Sequence, residues 1–145
     1  MGNATVWPRL YRMSTGVVNR PRMPEPGGQH IGPGHLEVAA DRGALAAVLD
    51  ARGRHREAQQ TLRAVLSVLE TVLGSDHYEV AATLDRLAAS VHHSGDYAQA
   101  ASLHERSLVI KRRILGAGHV TVVETAAQLA ACRAEVASVH AQRRR

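Results

Sequence analysis

Three short segments of the form Gly-x-x-His recur along the chain at one fixed interval. "GPGH" begins at Gly32, "GSDH" at Gly74 and "GAGH" at Gly116, so the step from the first to the second equals the step from the second to the third and needs no gap. A constant period of this length confines a chain to stacked copies of one supersecondary unit, because each copy buries its apolar face only against its neighbours. The register holds inside the unit as well. Val38, Val80 and Val122 fall in line, as do Leu45, Leu87 and Leu129, then Ala46, Ala88 and Ala130, then Ala47, Ala89 and Ala131. In the two complete copies Gly53 matches Gly95, Ala58 matches Ala100, Leu66 matches Leu108 and Leu73 matches Leu115.

The unit reads as two helices. Over about residues 77 to 93, Val80, Leu84, Leu87 and Val91 follow the i, i+4, i+7, i+11 spacing of one helical stripe. The break "HSGDY" then supplies Gly95 for the helix end and Asp96 as a cap for a second helix over about 97 to 115, with Tyr97, Ala100, Leu108, Ile114 and Leu115 expected in the core. Composition agrees. The chain of 145 residues is 45% apolar yet contains no Phe, so Ala, Leu and Val must carry the packing. Alanine is the best helix former and lets helices approach closely, whereas strands would show β-branched and aromatic runs between turns.

These residues carry a resemblance. Leu87 and Ala88, Val91, Gly95, Tyr97 and Ala100 in the second copy, with Leu45 and Ala46, Leu49, Gly53, His55 and Ala58 in the first, resemble the tetratricopeptide repeat. The common form of that repeat has ~34 residues. The longer unit with its "LGxxH" joint is similar to the kinesin light chain type, in which "HP-x-VA" usually opens the helix after the turn. Here Leu36, Tyr78 and Val120 stand at the proline position. The resemblance spans residues 32 to about 142 and implies an all-α, right-handed α-solenoid whose concave surface holds a peptide or partner segment.

The third copy stops short. Ala137 replaces the turn glycine and Arg133 the bulky apolar residue, and no breaker occurs from Thr121 to Gln142. One long terminal helix is expected there, with Val122, Ala126, Leu129, Val136 and Val139 on its inner face. Such a helix can cap the stack. The alternative is that the chain is a fragment of a longer array, with an apolar end able to self-associate. The domain boundaries are accordingly a flexible basic leader at 1–31, repeat units at 32–73, 74–115 and a partial 116–142, and a basic tail at 143–145. The leader holds four of the five prolines and no periodic apolar face, with Trp7 and Tyr11 among its arginines.

Charge and special residues narrow the function classes. The net charge of +5 is made at the ends, +3 in residues 1–31 and +3 in Arg143, Arg144 and Arg145, which leaves −1 for the whole stretch between them. Nucleic-acid or other polyanion binding through the basic ends is therefore the alternative function, with "KRR" at Lys111 to Arg113 as its best internal candidate. The cations of that run also suit a helix C-terminus. The single cysteine, Cys132, excludes an internal disulfide and a Cys-based zinc framework and reads as a small core residue. The chain has no apolar run long enough for a membrane span and no apolar segment after its N-terminal arginines, which makes the cytoplasm the expected location.

Nine histidines invite a metal reading. His35, His77 and His119 occur once per unit and so lie on the order of 10 Å apart in a stack, whereas ligands of one zinc ion all lie within ~2.0–2.3 Å of it. Adjacent His92 and His93 do not face one another on a helix. No metal, cofactor or catalytic residue is expected, and none of the phosphate-loop, GxSxG, HExxH or CxxC motifs occurs. Protein recognition remains. Helical phase puts Asp50 of the first unit, Asp85, Arg86, Ala89, His92 and His93 of the second, and Glu124, Gln128 and Glu135 of the third on the groove. The implied function is protein–protein interaction, as an adaptor or the sensory part of a signalling system.

Overall fold

The computed structural model describes residues 33–145, which form five α-helices and, among the described residues, no strand. These are α1 (Pro33–Ala51), α2 (His55–Leu73), α3 (Tyr78–His93), α4 (Tyr97–Leu115) and α5 (Val120–Arg143). The leader expected at 1–31 and the glycine of the first Gly-x-x-His segment lie outside the described residues. Helices α2 and α4 start one full repeat interval apart, and so do α3 and α5. Helix α1 is described from Pro33, three positions earlier in its unit than the first residues of α3 and α5. Consequently His35 lies inside a helix while His77 and His119 precede theirs.

The recurring turn works through two residues. Gly74 (φ 90°, ψ 156°) and Gly116 (φ 85°, ψ 156°) occupy a region open to glycine only, and their N–H groups donate to Glu70 O and Arg112 O at 3.0 Å to close the preceding helix. Three residues on, the histidine acts as the helix cap. Nδ1 of His77 accepts the Glu79 N–H at 3.1 Å, and Nδ1 of His119 accepts the Thr121 N–H at 3.2 Å, each satisfying a donor that has no partner within its helix. Within each complete unit a tighter turn follows, in which the N–H of Arg54 reaches Leu49 O and that of Asp96 reaches Val91 O. Asp96 then caps α4 by accepting from Gln99 N–H at 3.2 Å.

Each helix packs chiefly on its neighbours in sequence, and α1 also touches α3, so α1, α3 and α5 form one layer and α2 and α4 the other. The predicted stripe of α3 is the centre of the molecule, with Val80, Leu84, Leu87 and Val91 all buried. One apolar cluster draws on all five helices through Ala46, Leu49, Ala58, Leu62, Leu87, Val91, Ala100 and Cys132. Cys132 is buried as expected, and its thiol is pushed up by burial and by the nearby Glu135 carboxylate, which keeps it in the neutral form. In α5, Val122 and Leu129 are buried, while Ala126, Val136 and Val139 are half-buried.

One core expectation is overturned. Ile114 is 47% exposed. Consecutive helical residues differ by about 100° in direction, and the inner face of α4 runs through Ala100, His104, Ser107, Leu108, Ile110 and Lys111. Aligned positions also differ according to what stacks on them. Val38 and Leu45 are 46% and 52% exposed, whereas Val80 and Leu87, their equivalents one unit on, are 0% and 2% exposed because α2 lies before them. At the other end Val123, the equivalent of buried Ala81, is exposed because no second helix follows α5 among the described residues.

Candidate partner-binding face

The layer of α1, α3 and α5 presents aligned columns of residues on the side away from the core. Ala40, Ala82 and Glu124 form one column, Ala47, Ala89 and Ala131 the next, then Asp50, His92 and Ala134, then Ala51, His93 and Glu135. All of them are exposed or half-buried, although Ala46 and Ala88, one residue away, are completely buried. Arg86 and Gln128 share a further column and are exposed, with the Arg86 guanidinium lying across Gly43 of α1. Small side chains thus line the middle of the layer and polar ones its margins.

Two aspartates expected on this face turn out to be bonded across the stack. Asp85 reaches between α3, α4 and α5. Its Oδ1 accepts from His104 Nδ1 at 3.0 Å, its Oδ2 accepts from Thr125 Oγ1 at 3.0 Å, and Lys111 Nζ bonds both to Oδ2 and, at 3.0 Å, to Thr125 Oγ1. His104 and Lys111 are buried. Burial alone would raise the Asp85 pKa. The hydrogen bonds from His104 and Lys111 and the lysine charge together outweigh it and hold the carboxyl below its ordinary 3.8. As an ionised acceptor it requires His104 to carry its proton on Nδ1. Neither His104 nor Lys111 was legible as interior, because both residue types ordinarily face water. The helical phase they share with Ala100 and Leu108 was the available signal.

Asp50 makes the corresponding link between α1, α2 and α3. Its Oδ1 lies 2.6 Å from His55 Nδ1 and accepts from Ser90 Oγ at 2.7 Å, while Oδ2 lies 3.3 Å from His93 Nδ1. The two inter-unit bonds, Asp50 to Ser90 and Asp85 to Thr125, join residues at the same separation along the chain. Burial again works to raise the Asp50 pKa, and the bonds from Ser90 and His55 with the charges of His55 and His93 bring it below 3.8. Asp50 remains near the surface, at 22% side-chain exposure against 55% for His93. His92 turns away from this group and packs edge-on against Tyr97, ring centroids 4.9 Å apart. Tyr97 in turn borders a shallow cleft shared with Val136, Val139, His140 and Arg143 of α5.

Of the remaining candidates, Ala89 is half-buried, and Glu124, Gln128 and Glu135 project from α5 into solvent. The basic run is dispersed. Lys111 is buried against Asp85, and Arg113 pairs with Asp76 at 3.1 Å, so Lys111 to Arg113 do not form a continuous surface patch. Other ion pairs link the helices, Arg106 of α4 to Glu70 of α2 at 3.1 Å and Arg133 of α5 to Glu105 of α4 at 3.5 Å. As for chemistry, the hydroxyl of Ser107 donates to Ala81 O and that of Ser90 to Asp50, so each is committed to a structural acceptor.

The fold and the exposed inner layer define a helical-repeat protein of the kind that mediates protein–protein interactions. A profile of the tetratricopeptide repeat family matches residues 42–79 and 80–121, and the chain belongs to that family, whose repeats are generally a non-catalytic scaffold. No curated protein matches the sequence. No helix among the described residues is long and apolar enough to cross a membrane.

Proposed function

We propose that the α1, α3, α5 layer binds a segment of a partner protein and that the chain acts as an adaptor or as the sensory part of a signalling system. The observation that carries this reading is the alignment of small residues on successive first helices, Ala40, Ala47, Ala131 and Ala134 exposed and Ala82 and Ala89 half-buried. Alanine on a surface helix leaves room for another chain's side chains at backbone distance. The polar groups beside it, Arg86, His92, His93, Glu124, Gln128 and Glu135, mix both signs of charge, which favours selection by hydrogen bonds and local complementarity over attraction by a single-sign field. Asp50 and Asp85 serve this face indirectly, by fixing the angle between units.

The test is a pull-down that compares the wild-type protein with an Arg86→Glu, Glu124→Lys double variant. Both positions are exposed, so the helical content and Tm should be unchanged while specific partners are lost. Identical partner lists from the two proteins would remove the face as the binding surface.

A further inference from the structure

We propose that Asp50, His55 and His93 form a divalent transition-metal site, with zinc as the natural occupant, that joins the first repeat to the second. One ligand atom from each side chain lies within 4.8 Å of the others. A tetrahedral zinc ion with bonds of ~2.0–2.2 Å to nitrogen and oxygen would hold those atoms ~3.3 Å apart. Small side-chain rotations close that difference: His55 Nδ1 lies 2.6 Å from Asp50 Oδ1, and His93 Nδ1 lies 3.3 Å from Oδ2.

Each ligand comes from a helix end: Asp50 from the last turn of α1, His55 from the first residue of α2 and His93 from the last residue of α3. Ends of packed helices are well placed to converge without bending a helix. The Asp50 carboxylate is oriented from behind by the Ser90 hydroxyl at 2.7 Å, the kind of outer hydrogen bond that fixes metal-binding carboxylates. The site opens to solvent on the His93 side, which leaves a path for the ion and a fourth position for water.

Two imidazoles and one carboxylate suit zinc, cobalt or nickel, and disfavour calcium and magnesium, which take oxygen ligands. Binding needs both Nδ1 lone pairs. In the metal-free site the Nδ1 proton of His55 lies against the Asp50 carboxylate, so the ion must displace it: a neutral imidazole shifts to the Nε2–H tautomer by exchange with solvent, and a cationic one releases a proton to solvent. The Asp85 cluster differs in this respect, because Lys111 already supplies its positive charge. His93 pairs with a carboxylate one unit away, a relation that histidine spacing alone does not carry, and its neighbour His92 faces Tyr97.

The experiment uses the full chain without an affinity tag, stripped with chelator and titrated with Co2+ and then competed with Zn2+. One equivalent of Co2+ should bind with the visible d–d bands of a tetrahedral nitrogen and oxygen site, and Zn2+ should displace it and raise the Tm. His93→Gln, at an exposed position, should fold normally and bind at least ~10-fold more weakly, and Ser90→Ala should weaken binding by ~10-fold through the carboxylate. His140→Gln on α5 should match wild type. Absence of the d–d bands, more than one equivalent bound, or equal affinity and equal Tm shift in wild type and His93→Gln would each overturn the assignment.

Discussion

Leu62 and Leu69 stand, one unit earlier, where His104 and Lys111 stand in α4, and Gly43 stands where Asp85 stands. The first junction therefore fills with apolar side chains, both leucines being buried, the volume that the second fills with an ion pair. Removing one partner of a buried pair strands the other charge, so Asp85→Ala should cost about 3 kcal/mol in urea unfolding. The triple variant Asp85→Gly, His104→Leu, Lys111→Leu copies the first junction into the second. Because apolar replacement of a whole buried pair is often neutral or better, it should be more stable than Asp85→Ala, a ranking the same urea curves establish. Acid gives a separate check. The folded Asp85 carboxyl sits below 3.8, so its contribution is complete above that pH and is lost as pH falls through the lower folded value. The urea midpoint of the wild type should drop below about pH 4, and Asp85→Asn should show a smaller drop from its own starting point.

At the level of the element, the Gly-x-x-His turn divides its labour between a backbone shape and a cap, and the two are separable by mutation. Gly116→Ala forces a side chain into a glycine-only conformation and should cost about 1–3 kcal/mol. His119→Ala removes the acceptor for one amide and should cost about 1 kcal/mol. Hydrogen exchange should show the latter as faster exchange confined to the first turn of α5. The turns also explain why helix boundaries could be read from the chain: Gly74, Gly95 and Gly116 act through local backbone geometry and Asp96 through a side-chain cap three residues on, each independent of what packs nearby. Side-chain burial was less accessible. Ile114 reads as core by residue type and His104 and Lys111 as surface, yet the packing of α5 on α4 decides all three, and no local rule carries that information. Asp50 and Asp85 were placed on the correct helices, but their bonds to Ser90 and Thr125 join residues whose relation emerges only when one unit is stacked on the next.

For the whole molecule, contacts between sequence neighbours dominate, so stability rises toward the middle of the stack and falls toward its ends. Amides of α3 and of the adjoining half of α4 should be the slowest to exchange, ahead of those of α1 and the second half of α5. Leu84 lies in the centre and is fully buried, so Leu84→Ala should cost about 3 kcal/mol and lower protection in α2, α3 and α4 together. Uniform protection across all five helices would point instead to one indivisible cooperative unit. The Asp85 bond gives this architecture a rule for growth. Thr83 of the second unit holds the place that Thr125 holds in the third, one full repeat later, and it too is buried. Inserting a second copy of residues 74–115 after Leu115 would hand the copy's threonine to the original Asp85 and Lys111, and the copy's aspartate to Thr125. The chain is in this sense already written to be lengthened by internal duplication, with every new joint arriving with its own polar key.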